Sequence, residues 1–265
     1  MVPSVERVRF TSSGTEATLM ALRLSRSFTG KTKFIRFKTH FHGWHDHMTT
    51  GYANHFDGTA TAGVLDNIAS NVILVSPQDI SEIKSVIASD DDIAAVIVEP
   101  TGSSFGMVPM GEEFLASVRE ITSANGILLI FDEVVTGFRC APGGAQEAYG
   151  ITPDLTTMAK ILAGGLPGGV VGGRKEILEE LDFEKTAERG REKIQHPGTF
   201  NANPVSATAG ITALKIIETT DACQRANESA SWLRDQFNKT FEEKNISWAA
   251  YGTFSGVHIF MNKGG

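Results

Sequence analysis

Two residues at the ends of apolar segments suggest covalent chemistry on amines. Residues 127–131 form an unbroken apolar run of strand length, and Asp132 follows at once. Open α/β sheets bind ligands at the carboxyl ends of their strands, so this carboxylate is expected to face a site. Lys160 follows a second apolar segment and lies among small residues and glycines. A lysine that forms a Schiff base and an acid that binds a pyridinium nitrogen together predict a pyridoxal phosphate site.

The segments around these residues alternate between strand and helix patterns. Apolar strand patterns cover residues 33–37, 68–75 and 93–98, and helix patterns cover residues 80–88 and 111–125. The strand at 93–98 also ends in an acid, Glu99. This alternation predicts a doubly wound α/β fold with a mostly parallel sheet, whose strand ends carry the site.

A phosphate site is suggested by residues 11–17, TSSGTEA, where a strand pattern passes into a helix pattern. Backbone amides at a helix start, together with the positive end of the helix dipole, bind anions. Ser13 and Thr15 would add hydroxyl donors. Serine and threonine are also common N-caps, so helix capping alone is the competing interpretation.

The segment 40–47, HFHGWHDH, invites a metal-binding hypothesis. Clusters of His and Asp build zinc and di-metal hydrolase sites, so a metallohydrolase that uses His40, His42, Asp46 and His47 is one hypothesis. An extra residue interrupts the usual spacing, and a loop of hydrogen-bonded histidines is the alternative. In that alternative Phe41 would stack on a planar ring, with His42 beside it.

The glycine-rich segment 164–173 does not fit a dinucleotide-binding fingerprint, because no strand precedes it at the required spacing. We expect its glycines to allow close backbone packing around Lys160.

Composition narrows the class of protein. The chain has 265 residues and a formal net charge of -7, which argues against non-specific nucleic-acid binding. No segment is long and apolar enough to span a membrane, and the first ten residues lack the apolar core of a signal peptide. Cys140 and Cys223 have neither zinc spacing nor the density of a disulfide scaffold. These features together predict a cytoplasmic protein.

Six motifs in this order along the chain are specific in combination. They are SSGTEA at 12–17, FHGWHD at 41–46, VEPTG at 98–102, FDEVVTGFR at 131–139, PDLTTMAKILAGGLPGG at 153–169 and HPGTFNANP at 196–204. Together they resemble the class III, fold-type I aminotransferases, and within them the glutamate-1-semialdehyde 2,1-aminomutase-like group. The resemblance implies a pyridoxal phosphate-binding large domain at residues 1–217 and an incomplete small α+β domain at 218–265. Members of this family are longer at both ends.

The resemblance also implies roles for individual residues. Lys160 would form the Schiff base and transfer protons, and Asp132 would pair with the pyridine nitrogen of pyridoxal 5'-phosphate. Thr199 would reach the phosphate of a neighbouring subunit, which implies a homodimer with shared active sites. The other residues expected around the cofactor are Ser13, Gly14, Thr15, Phe41, His42 and Glu99.

The implied activity is transfer of an amino group between a small-molecule donor and a keto or aldehyde acceptor. Aminotransferase and aminomutase both remain open, and Ser104 stands where aminomutases tend to have asparagine. A non-catalytic α/β module that binds the cofactor or dimerises is a second hypothesis. Arg139 is a candidate for binding the substrate carboxylate, and a structural ion pair is its competing role.

Overall fold

A seven-stranded sheet forms the centre of the protein in the computed structural model, which describes residues 1–262. The strands within the described residues are β1 (Arg7–Thr11), β2 (Lys33–Phe37), β3 (Val72–Val75), β4 (Ile93–Val98), β5 (Val108–Pro109), β6 (Leu128–Asp132), β7 (Leu155–Ala159), β8 (Gly169–Gly173), β9 (Trp248–Tyr251) and β10 (His258–Met261). The sheet order is β1-β8-β7-β6-β4-β2-β3. β8 pairs antiparallel with both β1 and β7, and all the other neighbouring strands pair parallel. The predicted mostly parallel α/β sheet is confirmed.

Helices cover both faces of this sheet. The helices within residues 1–262 are α1 (Gly14–Thr29), α2 (Asp46–Thr49), α3 (Asp66–Ala69), α4 (Ile80–Ser89), the short turn α5 (Ser103–Gly106), α6 (Glu112–Ala124), α7 (Ala145–Tyr149), α8 (Lys175–Leu178), α9 (Phe183–Glu188), α10 (Pro204–Thr219) and α11 (Ala222–Glu243). Short 3₁₀ turns span Lys160–Ala163 and Glu179–Leu181. No helix among residues 1–262 is long and apolar enough to cross a lipid bilayer.

The central strands are apolar throughout because each of them packs on both faces. In β6, Leu128 and Ile130 face the core beneath α1, whereas Leu129 and Phe131 face the core beneath α4 and α6. This two-sided burial is why residues 127–131 lack the polar alternation of a strand with a solvated face. The strand also delivers Asp132 to the carboxyl edge of the sheet, next to the ends of β4 and β7.

Two local predictions need correction. A strand was expected over residues 68–75, but Asp66–Ala69 is a helical turn and β3 begins only at Val72. The side chain of Asn71 donates to the carbonyl of Asn67 at 2.6 Å, and this local turn chemistry separates helix from strand.

The sequence predicts only close packing for the glycines of 164–173, whereas the structure shows that part of this segment forms strand β8. Gly169–Gly173 pairs with β7 and β1, although glycine disfavours strands. A side chain at Gly169 would collide with the backbone of Ser13, so the missing side chains let the neighbouring chain approach.

The C-terminal part contains α11 and the two-stranded antiparallel pair β9–β10. The expected domain boundary between residues 217 and 218 falls within α10, and the division into two domains stays a prediction. Residues 263–265 of the expected small domain lie outside the described residues. Cys140 and Cys223 are buried free thiols.

Residues 40–47, called here the histidine loop, pack against α1 and the end of β4. His45 Nε2 lies 3.3 Å from the hydroxyl of Thr18, and His47 Nε2 accepts from Arg26 at 3.2 Å. His40 Nδ1 accepts from the backbone amide of Glu99 at 3.1 Å. Burial lowers the pKa of all three histidines, and that of His45 falls to about 3.

The lowered pKa of His45 makes protein stability depend on pH. Below its ordinary pKa of 6.5 the unfolded chain binds a proton at His45 that the native chain does not, so falling pH favours unfolding. His45→Gln removes this penalty. We expect the unfolding free energy of the variant, relative to wild type, to rise by about 1 kcal/mol between pH 7 and pH 5.5. Urea denaturation at both pH values measures it, and a difference independent of pH would contradict the burial of a neutral His45.

Candidate active site

A cavity of about 300 Å³ opens at the carboxyl edge of the sheet. Parallel strands bring their carboxyl ends to one edge, so the residues after β4, β6 and β7 meet there. Most of the residues singled out from the sequence line this cavity: Lys160, Asp132, Gly14, Thr15, Phe41, His42 and Glu99. Ser13 and Thr199 are not part of its lining.

Asp132 is held by three hydrogen bonds at the end of β6. Its side chain is only 4% exposed. Oδ2 lies 2.7 Å from Nδ1 of His42, and Oδ1 accepts from the hydroxyl of Thr157 at 3.0 Å and the amide of Val134 at 3.1 Å. These donors come from the histidine loop, from β7 and from the turn after β6, so the carboxylate is fixed from three directions.

His42 orients Asp132 as a neutral donor. Burial lowers the pKa of His42 more than the neighbouring carboxylate raises it, so the ring is uncharged near neutral pH. The hydrogen bond to Asp132 therefore assigns the proton to Nδ1. The other nitrogen, Nε2, is buried without a hydrogen-bond partner in the part of the chain that the structure describes.

Lys160 adopts a left-handed backbone conformation, with φ at +50°, directly after β7. Such a conformation costs a non-glycine residue about 1 kcal/mol and recurs at functional sites. Among residues 1–262 its amine has neither a hydrogen-bond nor an ion-pair partner. The amine lies at the cavity, free to react with a ligand.

Close packing by α10 holds the turn that follows Lys160. A side chain at Gly164 would collide with the backbone of Ala209, and one at Gly210 would collide with the carbonyl of Leu162. Gly164 therefore allows α10 to pack closely on the turn that begins at Lys160, and the wider role expected of the glycine-rich segment around Lys160 stays a prediction.

The start of α1 forms one end of the cavity. Gly14 and Thr15 line it, while the hydroxyl of Ser13 caps the helix by accepting from the amide of Glu16 at 3.2 Å. Side chains at Gly14 and Gly43 would collide with Val134 and Thr15, so both glycines let the start of α1 pack closely against the turn after β6 and the histidine loop. A role for Ser13 in phosphate binding stays a prediction.

An aromatic pair lies at the mouth of the cavity. The ring of Phe41 is half exposed, and its centroid lies 5.0 Å from that of Tyr52. Tyr52 belongs to a long loop without periodicity, so no sequence signal singled it out. Thr18, Val134 and Val135 also line the cavity and were not anticipated individually, although both valines lie within the motif at 131–139.

Ser104 contributes a strained corner to the wall. Ser104 and Phe105 both have left-handed φ values, +46° and +59°. His258 Nε2 donates to the backbone carbonyl of Phe105 at 3.1 Å. The hydroxyl of Tyr251 donates to the backbone carbonyl of Met107 at 2.6 Å. The small C-terminal sheet therefore holds this corner in place.

Arg139 lies close to the site without lining the cavity. Its Nε donates to the carbonyl of Val135 at 2.9 Å, and its guanidinium lies 5.9 Å from the ring centre of Phe105. It forms no ion pair within residues 1–262. Its expected role toward a substrate carboxylate stays a prediction.

The histidine loop offers no converging metal ligands in the described part of the chain. His40 bonds to the amide of Glu99, His42 to Asp132 and His47 to Arg26. Residues 1–262 contain no group of three or more His, Cys, Asp or Glu side chains that could hold a metal ion. The geometry is that of the alternative interpretation, a loop of hydrogen-bonded histidines.

Thr199 lies in a second cavity of about 350 Å³, with Glu16, Arg23 and His196. Thr15 and Thr18 line the first cavity, whereas Glu16 and Arg23 line the second, so the two cavities lie on different faces of α1. Within one chain, Thr199 therefore does not contribute to the site of Lys160.

Known proteins of similar sequence were found across almost the whole chain. The family model for class III aminotransferases matches residues 1–263. A glutamate-1-semialdehyde 2,1-aminomutase of Methanococcus maripaludis is 41% identical over 266 residues, which cover 99% of this chain and 60% of the relative.

Solved structures of transaminases also superimpose on almost the whole chain. An omega-transaminase from Sphaerobacter thermophilus superimposes with a TM-score of 0.88 at 35% identity, covering 99% of this chain and 61% of that one. A transaminase with PLP bound also gives a TM-score of 0.88, at 30% identity and the same coverage. This chain spans about 60% of the length of these relatives. On the family match and these identities, it belongs to the class III aminotransferases.

Proposed function

We propose that the cavity binds pyridoxal 5'-phosphate and serves amino-group transfer, as an aminotransferase or aminomutase. One observation carries this proposal. The unpartnered amine of Lys160 and the buried carboxylate of Asp132, which accepts three hydrogen bonds, line the same cavity. The PLP-bound transaminase of the same fold supports it.

The residues present fit this cofactor. A cavity of about 300 Å³ lies within the range of small-ligand sites. Two buried polar atoms, His42 Nε2 and Glu99 Oε2, lack partners in the described part of the chain. Buried polar groups are rarely left unpaired, and both residues line the cavity, so these two atoms support a polar ligand there.

When bound, the cofactor supplies an aldehyde that condenses with amines and a ring that withdraws electrons from the adjacent carbon. Lys160 would attach to it covalently, and Asp132 would hold a proton on the ring nitrogen. Gly14 and Thr15 would bind the phosphate through the start of α1. Phe41 would pack on the ring.

The chain's own residues then carry the proton transfers. Once a substrate amine has taken its place, the Nζ of Lys160 would accept a proton from the substrate carbon and would deliver it to another carbon. The amine of Lys160 does not have to break a hydrogen bond or an ion pair first, because it has no such partner among residues 1–262. Asp132 keeps its place during these steps because His42 and Thr157 hold both carboxylate oxygens.

The substrates we propose are a small-molecule amino donor and a keto or aldehyde acceptor. In an aminomutase one molecule plays both parts, as the name of the relative from Methanococcus maripaludis indicates for that protein. The geometry supports amino-group transfer in either form.

The proposal predicts a covalent link to Lys160. Wild-type protein mixed with pyridoxal 5'-phosphate should gain a visible absorption band, and borohydride reduction should fix the cofactor to the peptide that contains Lys160. Lys160→Ala should lose both signals, while Lys175→Ala, on α8 outside the cavity, should retain them. Absorption spectra and peptide mass mapping measure this. A band that persists in Lys160→Ala would overturn the assignment, and a bound cofactor without turnover of amino donors would favour the non-catalytic module.

We further propose a homodimer with shared sites. Thr199 lies away from the cavity of its own chain, which supports a role toward a neighbouring subunit. Large apolar side chains are exposed nearby, including Phe200 at 69%, Phe10 and Ile211. An apolar surface of this kind favours association with a second copy.

Shared sites predict complementation between two defective chains. Lys160→Ala lacks the lysine but keeps Thr199, and Thr199→Ala has the opposite defect, so a mixed dimer contains one intact site. Each variant alone should bind pyridoxal 5'-phosphate weakly, and unfolding and refolding them together should restore tight binding to about a quarter of all sites. Fluorescence titration measures it. A mixture that behaves as the sum of its components would contradict the sharing of Thr199.

A further inference from the structure

Glu99 is a second buried carboxyl group at the edge of the cavity. It follows β4 directly, lines the cavity and is only 7% exposed. Oε1 accepts from the amide of Phe41 at 2.7 Å, and the amide of Ser104 also faces the group. Oε2 is buried and has no hydrogen-bond partner among residues 1–262.

No cation within residues 1–262 forms an ion pair with Glu99, and the charge of Arg36 offsets only part of the effect of burial on the pKa of Glu99. The nearest buried cation, Arg36, is 0% exposed and donates to the carbonyls of Met48 and His40, both at 2.5 Å. Its guanidinium therefore serves carbonyl groups, and Glu99 forms no ion pair in the described part of the chain. Lys160 lines the same cavity and also forms no ion pair there.

The histidines near Glu99 add no charge either. Nδ1 of His40 accepts from the amide of Glu99 and so carries no proton, while His42 donates to Asp132. Burial holds the pKa of both histidines below the ordinary value. Both rings are therefore neutral.

The carboxyl groups of Asp132 and Glu99 thus line the same cavity but differ in the hydrogen bonds that they accept. Asp132 accepts from two side chains and one amide, whereas one oxygen of Glu99 accepts nothing. Neighbouring carboxylates in a buried site do not both ionise readily unless a cation pairs with them, and the group that accepts more hydrogen bonds takes the charge. Burial, and then the charge of Asp132, raise the pKa of Glu99 to about 8.

We propose that Glu99 is a neutral carboxylic acid at neutral pH, with its proton on the unpartnered Oε2, and that this O–H donates to a ligand bound in the cavity that Glu99 lines. The protonation is argued from the unpartnered Oε2, the lack of an ion pair and the neighbouring Asp132, and the ligand contact rests on the proposed function. A ligand that fits presents an acceptor atom here, of the kind that the oxygen and nitrogen substituents of pyridoxal 5'-phosphate and its amine adducts supply. A second negative charge is thereby kept away from Asp132.

Infrared spectroscopy of the protein without added cofactor tests the protonation. At pH 7 wild type should show the C=O stretch of a protonated carboxylic acid that Glu99→Gln lacks. Asp154→Asn is the control, because Asp154 accepts from Arg119 and Arg174, both at 2.8 Å, and its loss should leave the band in place. An identical acid band in wild type and Glu99→Gln would overturn the proposal.

A titration of wild type decides the question even if Glu99→Gln fails to fold. The band should disappear as the pH rises from 7 to 9.5, through the pKa of about 8. A wild-type spectrum without any such pH-dependent band would overturn the proposal.

Cofactor affinity tests the ligand contact separately. Between pH 7 and pH 9 wild type should lose roughly tenfold more affinity for pyridoxal 5'-phosphate than Glu99→Gln, whose amide donates at both pH values. Equal losses would overturn the contact, whatever the infrared result. Failure of cofactor binding by wild type would refute the proposed function and the contact, while the infrared bands would still report the protonation.

Discussion

The buried carboxylate of Asp132 is the constraint on which the site depends. A charge that is 4% exposed is stable only when donors replace water, and three separate parts of the chain provide one donor each. The histidine loop must close over the sheet to bring His42, and β7 must pair in register to bring Thr157. The fold and the site are therefore coupled, because errors in loop or register would leave this charge unpaired.

Strain at the site is confined to residues that other elements hold in place. Lys160 takes a left-handed conformation on a turn against which α10 packs, and Ser104 and Phe105 do so at a corner supported by the C-terminal sheet. Each such residue costs about 1 kcal/mol, which packing and hydrogen bonding around it offset. The result is a lysine directed at the cavity and a wall whose shape depends on contacts with β9 and β10.

The sequence predicted those parts of the site that follow from strand patterns. Residues 127–131 are apolar because both faces of β6 are buried, and this burial also locates Asp132 at the sheet edge. The sequence did not predict β8, because its glycines disfavour a strand and only tertiary contacts with Ser13 and Asp154 make their small size necessary. The place of Tyr52 at the cavity could not be predicted for a related reason. Its loop has no periodicity, and only folding brings its ring to Phe41. The neutral state of Glu99 also needed the structure, because it depends on the direction of the Arg36 guanidinium.

The proposed function depends above all on Asp132, which we propose holds a proton on the ring nitrogen of the cofactor. Nitrogen NMR of pyridoxal 5'-phosphate labelled at the ring nitrogen, bound to wild type and to Asp132→Asn, tests it most directly. We expect a protonated ring nitrogen in wild type and an unprotonated one in Asp132→Asn, with the cofactor bound in both. The same protonation state in the two proteins would contradict it.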